Sequence, residues 1–302
     1  MRIGIFTGDV SGSGGIDAIV GAARQAADDG FPSLWLPQIF GVDALTVAAV
    51  IGREVPEIEL GTAVVPTYPR HPMMLAQQAL TTNALAGGRL ILGIGLSHQI
   101  VIESMMGMSF DKPVRHMREY LSILGPLVHE RTVSFTGETL SANATIDVPG
   151  APPCPILVAA LGPQMLAVAG RLADGTITWM TGPATLSGHT IPTIGAAAEA
   201  AGRPKPRCVA GVPVCVTDDV EGTRARAAKA LVAYGFLPSY RAMLDREGLE
   251  GPADFALIGD EATVAAGIGE YDTAGVDDLL AADLSATPTE RERTRALLRT
   301  LL

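Results

Sequence analysis

The chain has 302 residues, 48% of them hydrophobic, and its 22 lysines and arginines against 32 aspartates and glutamates give a formal charge of −10. A chain of this length buries about three quarters of its unfolded surface, and an acidic balance without any basic block excludes a nucleic-acid binder. No apolar run approaches the roughly 20 residues of a bilayer span, which excludes a helical membrane protein.

Arg2–Phe6 reads as a first strand, leaving no room for a signal peptide, so the expected location is the cytoplasm. Cys154, Cys208 and Cys215 form no CxxC and are odd in number, which fits reduced core thiols there. Residues 16–28 follow as a helix, with Ile16, Ile19, Val20, Ala23 and Ala27 on its apolar face. Residues 33–37 are a second strand, and Asp43 caps a helix running to Arg53. Residues 58–64 form a third strand, Pro72 opens a helix at its first turn, and residues 89–93 form a fourth strand. A helix is expected over 114–128, a surface hairpin over 132–148 around Gly137, and a fifth strand over 155–160. A helix over 162–172, a sixth strand over 175–180 and a helix over 189–201 come next. The seventh strand spans 207–216, with helices over 220–234 and 260–274. A short eighth strand lies near 277–281 and a terminal helix over 288–301, its Arg293, Arg295 and Arg299 placed late as the helix dipole favours. Strand and helix thus alternate about eight times without a linker, the pattern of a single (β/α)₈ TIM barrel over residues 1–302 rather than an open doubly wound sheet. Insertions fall after strand four (96–113), before strand five (130–153) and around 235–258.

In such a barrel the chemistry sits on the loops that follow the strands. Those loops present Gly8–Gly15, Gln38–Phe40, Val64–His71, Gly95–Gln99, Ala160–Gln164, Met180–Pro183 and Val216–Asp218. The glycine-rich Ser11–Gly15 is a first loop that could touch substrate. Leu161-Gly-Pro-Gln164 joins a strand to a helix start whose free N–H groups suit a phosphate, with a plain helix start as the competing reading. Gly93-Ile-Gly95 lacks the third glycine of a dinucleotide fingerprint. The five histidines form no HxH or HxxxH pair, so no metal centre is expected. His98, just past strand four, is placed for proton transfer, although a lone histidine is more often structural. Arg70 and His71 could bind an anion or cap the following helix. Arg115, His116, Arg118 and Glu119 read as a solvated helix end, yet they are also the densest cationic cluster in an acidic chain. Trp35 and Trp179 read as packing residues.

Three segments together resemble the luciferase-like monooxygenase superfamily, in particular its actinobacterial branch that uses the deazaflavin coenzyme F420. They are Leu60-Gly-Thr-Ala-Val64 with Arg70-His-Pro72; Gly88-Arg-Leu-Ile-Leu-Gly-Ile-Gly95; and Ala159-Ala-Leu-Gly-Pro163 with Ala169-Gly-Arg-Leu-Ala-Asp-Gly175. The resemblance implies a (β/α)₈ barrel, a non-prolyl cis peptide at Ala63-Val64 in a bulge backing the cofactor ring, and commonly a homodimer. It places Ala63, Val64 and Thr67 behind the ring, with Leu96, Ser97 and His98 beside its reactive face. Ala160, Leu161, Gly162, Pro163 and Gln164 would hold the cofactor phosphate, with Met180 and Thr181 completing the set. The family's sugar-phosphate dehydrogenases carry Asp-His after strand two and a lysine after strand six. This chain has Gln38-Ile39 and Thr181-Gly-Pro183 instead.

The expectation is therefore hydride transfer between F420 and a small, unphosphorylated, rather apolar substrate, with reduction of an activated C=C or C=O favoured. His98 would donate the balancing proton and Gln38 would orient ring or substrate. Two rivals remain: an FMN-dependent monooxygenase on the same barrel, and a non-catalytic cofactor-binding protein. The anionic oligoglutamate tail of F420 separates the first rival, since cations beyond the phosphate loop, with Arg115, His116 and Arg118 as candidates, would favour F420.

Overall fold

A computed structural model describes residues 1–7 and 15–302; the expectation for Ser11–Gly14 lies outside the described residues. Parallel strands at Arg2–Phe6, Ser33–Leu36, Glu59–Thr62, Leu90–Gly95, Ile156–Ala159, Gly175–Trp179, Arg207–Val216 and Asp278–Asp283 pair in chain order. The ring closes where strand eight pairs with strand one, in register from Arg2 with Asp278 to Phe6 with Ala282. The fold is a (β/α)₈ TIM barrel, not an open sheet.

Period-two alternation sorts the strand side chains. Leu34, Leu36, Leu60 and Leu92 face the surrounding helices, whereas Trp35, Ile91, Leu157, Ile177, Val209 and Leu280 fill the interior. Trp35 is wholly buried and its indole N–H donates to Ser33 Oγ at 3.0 Å. Glycine at position 61 makes this possible, because a Cβ there would stand 2.1 Å from Trp35 Cε3. His71 Nδ1 accepts from Met73 N and so caps the helix Pro72–Leu85, while Arg70 pairs with Asp43.

Strand three breaks where a bulge was expected. Leu60 and Gly61 pair with Leu90 and Ile91, and Val65 and Pro66 with Ile94 and Gly95. Residues 62–64 therefore face only 92–93, which is a bulge of one extra residue. Thr62 Oγ1 bridges the gap, donating to Gly93 O at 2.8 Å and accepting from Gly93 N at 2.9 Å. The Ala63–Val64 peptide is cis.

The hairpin is present as antiparallel Thr132–Thr136 and Ser141–Thr145. Two expectations need correction. The helix expected from His189 begins at Pro183, passing through a π-helical turn at Leu186–Thr190, because Gly182-Pro183 is itself a helix start. Residues 235–258 are more than an insertion. Their helix Pro238–Glu247 and strand Leu257–Gly259 pack Met243, Leu244, Phe255 and Ile258 with Met180, Cys215 and Leu231 into a second apolar cluster on the carboxyl ends of strands six and seven. The three cysteines are buried free thiols, and no described helix is long and apolar enough to cross a membrane.

Candidate active site

The bulge, the loop after strand four and the loop after strand five meet at one rim of the barrel. Thr67 N donates to Gly95 O at 2.9 Å, and a Cβ on Gly95 would meet Val64 Cγ2 at 2.6 Å and Ala159 Cβ at 3.2 Å. Ala63, Val64, Leu96, Ser97 and His98 are all half-buried there. Ser97, two residues after strand four, and Met180, directly after strand six, have left-handed backbone (φ 62° and 47°). For a residue other than glycine this costs on the order of 1–3 kcal/mol, so tertiary packing at the rim holds both turns.

After strand five, Ala160 is buried while Gly162, Pro163 and Gln164 are exposed. The helix Pro163–Leu172 has no side-chain cap, and a Cβ at Gly162 would touch nothing within 4 Å. Free N–H groups therefore face open space at the positive end of a helix dipole, an arrangement able to hold an anionic oxygen. His189 Nε2 lies 3.0 Å from Leu161 O and ties this loop to the next helix. Sequence reading missed that link, since a histidine in the first turns of a helix carries no pattern of its own. Leu161 and Met180 belong to the second apolar cluster, and Thr181 is buried, with its hydroxyl 3.4 Å from Trp179 O.

His98 faces two tyrosines brought by the 232–247 segment. Ring centroids are 6.0 Å apart for Tyr240 and 6.4 Å for Tyr234, and the tyrosines are 5.0 Å from each other. Burial lowers the His98 pKa below the usual 6.5, so the protonated ring gives up its proton more readily than an ordinary imidazolium. Burial also raises the hydroxyls of Tyr240 and Tyr234, the latter partly offset by the Trp179 N–H. Trp179 packs as expected, on Phe6 and on the second apolar cluster, and it also stands half-buried at the end of strand six, two residues beyond inward-facing Ile177.

Other expected groups are committed elsewhere. Gln38 Oε1 accepts from Ala44 N at 2.7 Å, which leaves its amide NH₂ to orient a ligand. Thr67 is 1% exposed, with its hydroxyl 3.0 Å from His116 Nε2.

The helix end at 115–119 is only partly a solvated cation cluster, because His116 and Glu119 turn inward against the bulge loop and the hairpin. His116 stacks on Tyr68 at 4.0 Å with 2° between the planes, and burial drives its pKa down to about 4, against a smaller upward pull from Glu119. Burial would raise the Glu119 carboxyl, but hydrogen bonds from Thr139 and Leu140 hold it below the usual range. Arg115 pairs with Glu138. Arg118 remains exposed, and with Arg171 and Gln164 it lines a groove of about 400 Å³ on the outer flank between the helices Pro113–His129 and Pro163–Leu172. Neither arginine forms an ion pair among the described residues.

A family model described as luciferase-like monooxygenase matches residues 1–278. The chain is 28% identical over 239 residues to the 5,10-methylenetetrahydromethanopterin reductase of Methanolobus tindarius, covering 78% of this chain and 72% of that protein. It is 29% identical over 260 residues to the F420-dependent glucose-6-phosphate dehydrogenase of Kineococcus radiotolerans, covering 79% and 74%. Among solved structures, the coenzyme F420-dependent tetrahydromethanopterin reductase of Methanopyrus kandleri superposes with a TM-score of 0.81 at 21% identity, over 99% of this chain and 97% of that one.

Proposed function

Because the chain belongs to the luciferase-like monooxygenase family, we propose that residues 1–302 act as one domain, an oxidoreductase using coenzyme F420 on a small, unphosphorylated and rather apolar substrate. The rim carries this reading. The strand-three bulge at residues 62–64, the half-buried Ser97–His98 turn and the uncapped helix start at Gly162 gather at one rim. The Kineococcus radiotolerans relative, named as F420-dependent, supports the cofactor.

The residues present fit that cofactor. Ala63 and Val64 give an apolar back wall, the N–H groups after Gly162 suit its phosphate, and the Arg118–Arg171 groove beside Gln164 suits its anionic oligoglutamate tail. FMN ends at its phosphate and would leave those arginines without a role. When bound, the deazaflavin supplies or accepts the hydride. The chain's part is the proton: His98 holds it on a ring nitrogen and releases it to the substrate when reduction is the direction. Gln38 Nε2 donates a hydrogen bond that orients ring or substrate. Ile39 cannot take a proton from an alcohol, and Thr181-Gly-Pro183 offers no cation to a substrate phosphate, which argues for reduction of an activated C=C or C=O in a neutral molecule.

Titration with oxidised F420 and FMN side by side, read by fluorescence, tests the cofactor. Quenching by F420 at lower concentration supports the reading, and tight FMN binding with weak F420 binding overturns it. Replacing His98→Ala should lower turnover on the order of a hundredfold or more while leaving F420 affinity nearly unchanged; equal loss of both would make His98 a structural contact. Reduction by the wild type should also slow as pH rises through the depressed pKa of His98, and the variant should lose that dependence.

A further inference from the structure

We propose that Trp179 is the hydrogen-bond donor to the substrate's oxygen, inside an aromatic box that selects a neutral carbonyl compound with a flat apolar ring. This deepens the reading above and rests on it for the place where substrate enters.

The protein has two tryptophans, and they are treated differently. Trp35 N–H is matched to Ser33 Oγ in the barrel interior. Trp179 Nε1 is buried and makes no well-aligned hydrogen bond among the described residues; the Tyr234 hydroxyl stands near enough to feel the N–H but does not accept it in good geometry. A buried donor left without an acceptor is unfavourable, and native structures rarely keep one without a use. The indole cannot easily turn away. Phe6 packs on it at 5.5 Å, and strand seven approaches its six-membered edge so closely that a Cβ on Gly211 would lie 2.9 Å from Cε3. Nε1 lies on the opposite edge, close enough to the Tyr234 hydroxyl to lower its pKa against burial.

Tyr234 links that donor to further rings. Tyr234, Tyr240 and His98 form a contiguous edge-and-face set, and Trp179, Tyr234 and Tyr240 all pack against the second apolar cluster. Such walls favour a flat apolar body through ring contacts. The segment carrying the tyrosines is latched at its far end: Glu247 accepts from Thr185 N, and a Cβ on Gly182 would stand 2.4 Å from the same carboxylate. A phosphate or carboxylate near Gly182 would meet a negative charge, so a neutral ligand is selected. The one polar group it needs is an acceptor for Trp179 N–H. A carbonyl oxygen serves, and its hydrogen bond strengthens as negative charge builds there during reduction.

The test uses the full chain labelled with ¹⁵N, which gives two indole N–H resonances assignable by the variant Trp179→Phe. The probe is α-tetralone, a neutral bicyclic ketone, with tetralin as its oxygen-free counterpart and 1-naphthoate as an anionic one. Each is added with and without F420. Tetralone should move the Trp179 resonance downfield while Trp35 stays in place, tetralin should leave both nearly unmoved, and 1-naphthoate should bind more weakly than tetralone. Trp179→Phe should weaken tetralone about tenfold, the worth of one buried hydrogen bond, and leave tetralin unchanged. The unshifted Trp35 resonance reports that the variant is folded. An unmoved Trp179 resonance at saturating tetralone, or equal weakening of both probes, overturns the proposal. Failure of F420 to bind while tetralone still moves Trp179 would instead overturn the cofactor reading alone.

Discussion

The two ends of the barrel solve opposite problems. At the amino-terminal end the charges are paired. Arg207 sits between Asp278, which is 1% exposed, and Glu59, and Arg2 reaches both carboxylates. Burial alone would lower the Arg207 pKa, but the two carboxylates outweigh it and raise it. Asp277 accepts from Cys208 N at 2.8 Å, and Arg203 bonds Asp174 and the carbonyl of Ala173. At the carboxyl end the chain instead tolerates what is unfavourable. Ser97, Lys112 and Met180 are left-handed without being glycine, an indole donor lacks a well-aligned partner, and Ile39, Phe40, Ile100, Met105 and Phe236 are exposed. One end is built to hold the ring shut, and the other keeps unsatisfied groups that a ligand could satisfy.

The sharpest break of this contrast is Asp278→Ala. It leaves the Arg207 charge half-paired at the closed end and should cost about 3 kcal/mol, because removing one partner of a buried pair strands the other. Urea unfolding would read that loss, while ligand affinity of the folded fraction should stay unchanged; a similar drop in affinity would mean the two ends are coupled.

A smaller effect comes from His116, buried on the far side of the bulge loop. Its pKa is about 4 when folded and near the ordinary 6.5 when unfolded. Between these values the unfolded chain binds more protons, so stability falls as pH drops from 6.5 to 4, by at most about 3 kcal/mol and less where water relaxes the site. Replacing His116→Gln should flatten that slope in a series of urea melts, and an unchanged slope would assign the acid lability elsewhere.

The mildest is the double change of Arg118→Ala and Arg171→Ala. Both are exposed, so the melting temperature should barely move. Affinity for F420 should fall a few-fold and become less salt-sensitive, as expected when surface cations facing an anionic tail are removed. A tail-free deazaflavin should bind both proteins alike. Equal losses for both ligands would separate the groove from the tail.

Much of the barrel was legible because its determinants are local and periodic. Runs such as Leu90–Ile94 and Cys208–Val216 are buried on both faces and read as parallel strands, and Asp43, Pro72 and Pro288 announce helix starts. The bulge at residues 62–64 was accessible only through the resemblance, since no alternation marks a residue without a partner. The aromatic box was not legible. Tyr234 and Tyr240 lie in a stretch of mixed helix types without a strong apolar period, and nothing local says that they meet a histidine more than a hundred positions away. His116 and Glu119 misled for the same reason: charged letters on a helix look solvated until a hairpin and a loop fold over them.

The sequence by itself determined the alternation of strands and helices, hence the closed ring and the rim where its loops gather. Burial patterns are written every two or every 3.6 residues, and any chain carrying them must hide the same faces. Only the tertiary structure decided which rim side chains touch, which charges are neutralised and which donor is left over. Those outcomes depend on loop crossings between distant segments, where steric fit and desolvation act on pairs that no local period encodes.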